Sequence, residues 1–235
     1  MIDVTHAAGL WQVTLNRPDK ANALNLQMLC ELRDAAHRAH GDPELRAFVL
    51  TGAGDRVFCA GADLASTEDM FSYTRAPEWI EMSSAIHTLP CLTIAALNGT
   101  VAGGGFAPVL ACDMRICTPQ TRFFYPVLKR GFLPQPADVV RLAELIGPAR
   151  AKLILMAGQK LSADEALACG LTDRIVALQD FKEAIATLTS DAMAAKPQQV
   201  AAINHLFKKD ITALDIEDCY SAAYLNDSAA LERIW

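Results

Sequence analysis

The sequence has little positive charge: 21 Lys and Arg residues stand against 27 Asp and Glu residues, giving a net charge of -6 at pH 7. Phosphate backbones are held by concentrated Lys and Arg, so this balance argues against a nucleic-acid partner. Histidine is also scarce, and the five His residues form no H-E-x-x-H or other metal spacing. No Gly-x-Ser-x-Gly elbow occurs. We therefore predict neither a bound metal nor a serine triad.

Cysteine gives no usable pattern either. The seven Cys are odd in number and lack the paired short spacings of a zinc site or redox motif. They are typical of small buried hydrophobes in a reducing compartment. The N-terminus carries Asp3 and no apolar signal core, so a cytoplasmic location is the default expectation.

One stretch without charge could be mistaken for a membrane span. It runs from Cys91 to Cys112, about the length that crosses a bilayer. Asn98, the three glycines at 103 to 105 and Pro108 interrupt it, which favours a buried strand, a tight turn and a buried helix. No membrane partner is expected.

The rest of the chain reads as alternating strands and helices. With 235 residues, 52% of them hydrophobic, one α/β domain is the economical interpretation. Strands are predicted at the segments Leu10–Leu15, 46–51, Leu92–Leu97 and 114–118. Asn25 can cap a helix that Gly41 and Pro43 stop. Most of the chain beyond Gln135 looks helical, with a short exception at Ile175-Val176. Repeated strand, helix, strand order favours parallel pairing.

Two glycine-bearing turns follow predicted strands, at residues 58–64 and 98–106. Glycine allows positive φ and a close approach of the backbone, and such a turn directs N–H groups outward at the start of a helix. Either turn alone could serve only to make the chain compact. Neither matches the G-x-G-x-x-G or G-x-x-x-x-G-K-[ST] patterns that hold nucleotide phosphates.

Taken in order, these motifs closely resemble the signature of the crotonase family, which includes enoyl-CoA hydratases and isomerases. The resemblance lies in residues 15–25, 50–54, the two turns and Cys112-Asp113-Met114-Arg115-Ile116, and extends from roughly Leu10 to Val176. It implies a spiral of β-β-α units in residues 1–175. Residues 176–235 would be a helical region involved in oligomerisation, as a homotrimer or hexamer. The implied partner is an acyl-CoA thioester, with coenzyme A as part of the substrate and no permanently bound cofactor.

The resemblance also assigns roles to residues. The backbone N–H groups of Ala62 and Gly104 would form an oxyanion hole, and such preorganised donors stabilise a thioester enolate more than the neutral carbonyl. Two segments would hold the CoA portion, with the predicted contacts Lys20, Ala21, Ala23, Leu24, Ala60, Gly61, Asp63 and Leu64. For Asp63, capping the following helix is an equal explanation.

The sequence departs from the family where hydratases carry two glutamates. Counting from Gly104 places Ala107 at the first position, and aligning Pro126 and Gly131 places Val127 at the second. Gln135 occupies a third position, where some family members carry Asp. Activating water needs a titratable group, which Ala and Val cannot supply. With Phe132 they would make a dry pocket, suited to a step such as decarboxylation of a malonyl-type thioester.

Replacement acids could come from elsewhere in the chain. Asp138 is the nearest in sequence, although in the first turn of a helix it is expected to complement the helix dipole. Tyr125 and Lys129 bracket Val127 and could enter the pocket, but a buried strand aromatic and a solvated lysine are the commoner outcomes. Glu78, Glu81 and His87 are expected at the surface of a flanking helix.

Three hypotheses about function follow. The first is a lyase or isomerase of the enoyl-CoA hydratase/isomerase type, whose exact step could also be decarboxylation or thioester hydrolysis. The second is a catalytically silent protein of the same fold that binds CoA esters. The third is an unrelated nucleotide-binding α/β domain, which would require the ordered series of motifs to be coincidental.

Overall fold

Short strands form two sheets in the computed structural model, which describes residues 1–207, 213–225 and 227–234. The strands are β1 (Ile2–Ala7), β2 (Leu10–Leu15), β3 (Ala47–Gly52), β4 (Val57–Cys59), β5 (Leu92–Leu97), β6 (Thr100–Ala102), β7 (Met114–Cys117), β8 (Arg122–Phe124), β9 (Leu161–Ser162) and β10 (Arg174–Ile175). The larger sheet has the order β1-β2-β3-β5-β7-β10, and the smaller β4-β6-β8-β9. Pairing is parallel except at β1 and β9, which lie at sheet edges.

Helices follow the strands in a repeating order. They are α1 (Leu26–His40), α2 (Met70–Thr74), α3 (Glu78–His87), α4 (Phe106–Leu110), α5 (Val127–Arg130), α6 (Pro136–Ile146), α7 (Pro148–Leu155), α8 (Ala163–Cys169), α9 (Phe181–Ala194), α10 (Pro197–His205), α11 (Ala213–Leu225) and α12 (Ser228–Ile234). β3, β5 and β7 in the larger sheet are each followed by one strand of the smaller sheet and then by helix. The predicted β-β-α units are therefore confirmed.

The first long helix, α1, shows how sequence sets these elements. The Asn25 side chain accepts a hydrogen bond of 2.9 Å from the Met28 N–H, which satisfies one of the donors at the helix start. The helix ends at His40, before Gly41, as predicted. Its buried face consists of Met28, Leu29, Leu32, Ala35, Ala36 and Ala39. Spacings of three and four residues give one apolar face for the core.

The residue patterns did not place the strands of the smaller sheet, which only the family resemblance implied. β4, β6 and β8 each have three residues, too few for a period-two pattern, and their pairing depends on neighbours distant in the chain. The Gly99 to Gly105 turn was expected to lead directly into a helix. A 3-10 turn at Gly103–Gly105 does lead into α4 at Phe106, but β6 also lies within the predicted turn.

Beyond Ile175 the described residues contain helices and no strand, which agrees with the predicted helical pattern. Helix α9 packs through Phe181 on Val49, Ile94 and Ile116, apolar side chains of the larger sheet. The boundary at residue 175 and the role in oligomerisation stay predictions. Among the helices of the described residues, none combines the length and the apolar character needed to cross a bilayer.

Five cysteines lie in the interior, as the sequence suggested. Cys59, Cys91, Cys112, Cys117 and Cys219 are buried, while the other two are half-buried. Burial raises the pKa of the Cys59 and Cys112 thiols to about 12, because the thiolate would lose its hydration. These side chains act as small apolar residues.

Candidate active site

Three parallel strands of the smaller sheet end at one edge. β4 pairs with β6 and β6 with β8, all in the same direction. The residues that follow these strands are 60–62, 103–105 and 125–127, respectively. Carboxyl ends of parallel strands are the usual place for a ligand in α/β proteins. The two turns singled out in the sequence are therefore neighbours, and a third segment lies beside them.

The backbone nitrogens of Ala62 and Gly104 lie close together. A Cβ built on Gly104 would lie 3.4 Å from the Ala62 nitrogen, and one on Gly61 would lie 3.1 Å from the Gly104 nitrogen. Within the described part of the chain, neither Ala62 nor Gly104 donates its N–H to another protein atom. Gly61 has a φ of +99°, which L side chains rarely adopt. The two turns thus bring two unpaired donors side by side.

Trp79 of α3 forms the floor beneath Gly104. A Cβ on Gly104 would come within 2.7 Å of the Trp79 Cη2 atom, so only glycine fits against the ring. The Trp79 Nε1 donates to the Tyr73 carbonyl at 3.1 Å, and the Tyr73 hydroxyl donates to the Leu24 carbonyl. Sequence reasoning missed both aromatic residues, because each resembles an ordinary core side chain.

The two segments predicted to hold CoA lie against each other. Leu24 and Ala62 form a parallel bridge, in which the Leu24 N–H donates to the Gly61 carbonyl at 2.8 Å and the Asp63 N–H to the Leu24 carbonyl at 2.7 Å. The Ala60 N–H donates to the Ala21 carbonyl at 3.0 Å. Of the remaining predicted contacts, Lys20 and Ala60 are exposed, whereas Ala23 and Leu64 are half-buried. The segments meet, and their contact with CoA stays a prediction.

Asp63 does not cap the short 3-10 turn that follows it. Its side chain makes no capping hydrogen bond and instead pairs with Arg17, whose Nη1 lies 2.6 Å from Oδ2. Arg17 Nη1 also donates to the Ala23 carbonyl at 3.1 Å. The capping explanation was therefore wrong, since the ion pair ties the first segment to the second.

Asn22 is a further positioning residue that the sequence did not reveal. It is fully buried, and its amide donates to the carbonyls of Ala53 and Val57 at 3.0 and 3.1 Å. Its Oδ1 accepts from the Arg17 N–H at 2.9 Å. A buried amide with three partners fixes the loop between β2 and α1 against β4.

The two positions where the sequence predicts that family glutamates are replaced are buried and apolar. Ala107 is 1% exposed in α4, and Val127 is 7% exposed at the start of α5. Phe132 donates its N–H to the Val127 carbonyl at 3.0 Å and meets Phe71 edge to face. Gln135 Nε2 donates to the Thr74 carbonyl at 2.6 Å, which joins the loop before α6 to α2.

Asp138 is buried, unlike a residue that merely complements a helix dipole. It is 1% exposed, and its Oδ2 accepts a 3.0 Å hydrogen bond from the Tyr125 hydroxyl. Burial raises the Asp138 pKa to about 7, despite opposing contributions from Tyr125 and Arg141. The dipole explanation is therefore incomplete, because solvent has little access to this carboxyl group.

The other candidate groups lie at or near the surface. Lys129, Glu81 and His87 are exposed, and Glu81 pairs with Arg33 at 2.7 Å. Glu78 is half-buried at the start of α3. In the described residues no three His, Cys, Asp or Glu side chains cluster as metal ligands would.

Comparison with known proteins identifies the class. The sequence profile "Enoyl-CoA hydratase/isomerase" matches residues 5–228. A Mycobacterium leprae protein named "Probable enoyl-CoA hydratase" is 38% identical over all of this chain and 86% of its own length. The carnitinyl-CoA dehydratase of Proteus mirabilis is 30% identical over 93% of this chain and 84% of its own length. The chain belongs to the enoyl-CoA hydratase/isomerase family of acyl-CoA enzymes.

Solved structures agree with this assignment. The crystal structure of an enoyl-CoA hydratase from Bacillus anthracis superimposes with a TM-score of 0.84 at 28% identity, covering 99% of this chain and 93% of that one. An enoyl-CoA hydratase/carnithine racemase from Magnetospirillum magneticum gives a TM-score of 0.85 at 26% identity, with 99% and 92% covered. The predicted crotonase fold is thus confirmed.

Proposed function

We propose that the chain holds the carbonyl oxygen of an acyl-CoA thioester between the N–H groups of Ala62 and Gly104. The observation that carries this proposal is the pair of adjacent, unpartnered donors at the edge of the smaller sheet. An enolate concentrates negative charge on this oxygen. Donors already in place therefore stabilise it more than they stabilise the neutral substrate.

The coenzyme portion would lie along the paired segments 20–24 and 60–64. Lys20 is exposed and can meet a phosphate, while the peptide groups of the bridge offer polar contacts to the pantetheine arm. Coenzyme A enters as part of the substrate in this proposal. A homotrimer or hexamer remains the proposed assembly, which sedimentation at micromolar concentration would test.

The chemical step proposed here needs stabilisation of the enolate more than activation of water. Ala107 and Val127 are buried and carry no titratable group, so hydration of crotonyl-CoA at ordinary family rates is not expected. The same apolar surroundings favour decarboxylation of a malonyl-type thioester as a second candidate, because expelling water strengthens the electrostatic effect of the two donors. A panel of hydration, decarboxylation, isomerisation and thioester hydrolysis assays separates these steps.

A carbonyl-deletion experiment tests the oxyanion hole directly. Butyryl-CoA and its thioether analogue S-butyl-CoA differ in one carbonyl oxygen, so calorimetric titration of both isolates the contribution of that oxygen. Two modest hydrogen bonds correspond to about tenfold tighter binding of the thioester. Equal affinity for the two ligands would contradict the assignment. Binding of ATP or NAD, with no response to either CoA compound, would instead favour a nucleotide site.

A further inference from the structure

The third strand of the smaller sheet brings a phenol to the same edge as the two donors. In the register of β6 and β8, Ala102 is opposite Phe124, so the next residues along the two chains are Gly103 and Tyr125. Neighbouring strands are about 4.8 Å apart. Tyr125 is therefore one strand removed from the glycine turn, and it immediately precedes Pro126 and Val127.

Tyr125 and Asp138 form a buried hydrogen-bonded pair. Tyr125 is 4% exposed, and its ring stacks on Phe106 with centroids 5.3 Å apart. Phe106 directly precedes Ala107 in the chain, and Tyr125 lies two residues before Val127. The second carboxyl oxygen, Oδ1 of Asp138, is buried and has no hydrogen-bond partner among the described residues, and the same holds for Nη1 of Arg141. A buried oxygen without a partner is costly to the fold.

Burial favours the uncharged forms of both side chains in this pair. Burial is the main cause of the raised pKa of Asp138, about 7, and it also raises the pKa of the Tyr125 phenol well above its ordinary value. Arg141 on α6 is the cation that faces Asp138. Arg141 itself interacts with Cys112, after α4, and with Glu144 and His87. An acid with a pKa near the working pH can both give and take a proton.

We propose that Tyr125 and Asp138 together move a proton to and from the α carbon of the bound thioester. This inference rests on the proposed function, because it needs the thioester oxygen between the Ala62 and Gly104 donors. The Tyr125 oxygen would contact the reacting carbon. Asp138 would act through it as the reservoir of the proton.

The proton and electrons balance within this pair. In the forward direction the α C–H bond breaks, its electron pair forms the enolate double bond, and the negative charge moves to the thioester oxygen. The α proton passes to the Tyr125 oxygen while the phenol proton passes to Asp138. Reversal returns a proton to the α carbon, or to the γ carbon of an unsaturated chain. No further reactant is required.

The test follows deuterium and isomerisation with 3-butenoyl-CoA in D₂O. Its α protons are acidic, and reprotonation at the γ carbon gives crotonyl-CoA. We expect the protein to incorporate deuterium at the α carbon and to form crotonyl-CoA. Tyr125→Phe and Asp138→Asn should each lower both rates by about 100-fold or more. The Kd of butyryl-CoA should change by less than about threefold, since neither side chain holds the carbonyl oxygen.

A pH profile distinguishes a role for Asp138 in proton transfer from a purely structural hydrogen bond to Tyr125. Exchange by the unaltered protein should rise with pH through a midpoint near 7 as Asp138 loses its proton. The control His87→Gln should keep this profile, because the exposed imidazole near Arg141 is not part of the pair. The residual exchange of Asp138→Asn should lack this midpoint.

Distinct outcomes would overturn the two proposals. Exchange that is unaffected in well-folded Tyr125→Phe and Asp138→Asn proteins would exclude the pair. A protein that binds butyryl-CoA but exchanges no α proton, or exchanges it with no pH dependence, would also exclude the pair, whether or not the variants fold. Failure to distinguish butyryl-CoA from S-butyl-CoA would instead exclude the oxyanion hole on which the inference rests.

Discussion

The two halves of the candidate site are built from different parts of the chain. One half consists of main-chain N–H groups at Ala62 and Gly104, whose positions follow from parallel strand ends and from close packing against Trp79. The other half consists of the side chains at Ala107, Val127 and Asp138, which helices α4, α5 and α6 carry. In the proposed function, stabilisation of negative charge therefore depends on the fold itself. Proton transfer can change with a few substitutions while the fold persists.

The first prediction removes a main-chain donor. Gly104→Pro should lower turnover of the thioester substrate by about 100-fold to 1,000-fold, because proline has no N–H to offer the oxyanion. The new ring would also meet Trp79, so Ala62→Pro serves as a companion variant that removes the other donor. Gly41→Ala, at the distant end of α1, is the matched control. Full activity in a well-folded Gly104→Pro protein would show that the donor is not used.

The second prediction changes only the side-chain half. The protein should hydrate crotonyl-CoA very slowly, and the double substitution Ala107→Glu with Val127→Glu should raise this rate by about 100-fold or more, because it restores an acid and a base. Loss of absorbance by crotonyl-CoA measures the reaction, with each single variant as a control. An unaltered protein that hydrates crotonyl-CoA at ordinary family rates would contradict the argument.

The third prediction concerns stability and pH. The pKa of Asp138 is raised to about 7 in the fold, so the folded state binds more protons than the unfolded state between about pH 4 and pH 7. This contribution is complete below the ordinary Asp pKa and is lost as the pH rises through 7, at about 1.4 kcal/mol per pKa unit. Between about pH 4 and pH 7, thermal melting should therefore show a smaller loss of Tm in Asp138→Asn than in the unaltered protein. Asp55 is exposed, so the control variant Asp55→Asn should show the same loss of Tm as the unaltered protein.

The fourth and smallest effect tests the link between the CoA segments. Asp63→Asn removes a partly buried ion pair with Arg17 and should lower the free energy of unfolding by about 1 kcal/mol, measured by urea denaturation. Binding of butyryl-CoA should weaken only slightly if the carboxylate acts through Arg17. A loss of affinity much larger than the loss of stability would mean that Asp63 contacts the coenzyme itself.

The sequence alone determined the strands of the larger sheet from β2 to β7, helix α1 and the order of the two glycine turns. These features depend on local causes: apolar periodicity, an Asn cap and the conformational freedom of glycine. It also determined the absence of carboxylates at Ala107 and Val127, since these are the residues present. The ordered motifs were sufficient to predict the family.

Tertiary structure decided how the short strands pair and which polar side chains become buried. The three-residue strands β4, β6 and β8 pair only because the repeated units stack, and this stacking places the Ala62 and Gly104 nitrogens side by side. The same stacking brings Tyr125 to Asp138 across 13 residues of sequence and buries both. A carboxyl group has an ordinary pKa in any unfolded chain. Only the loss of water around Asp138 raises its pKa, because burial disfavours the charged form, and no local sequence pattern encodes that burial.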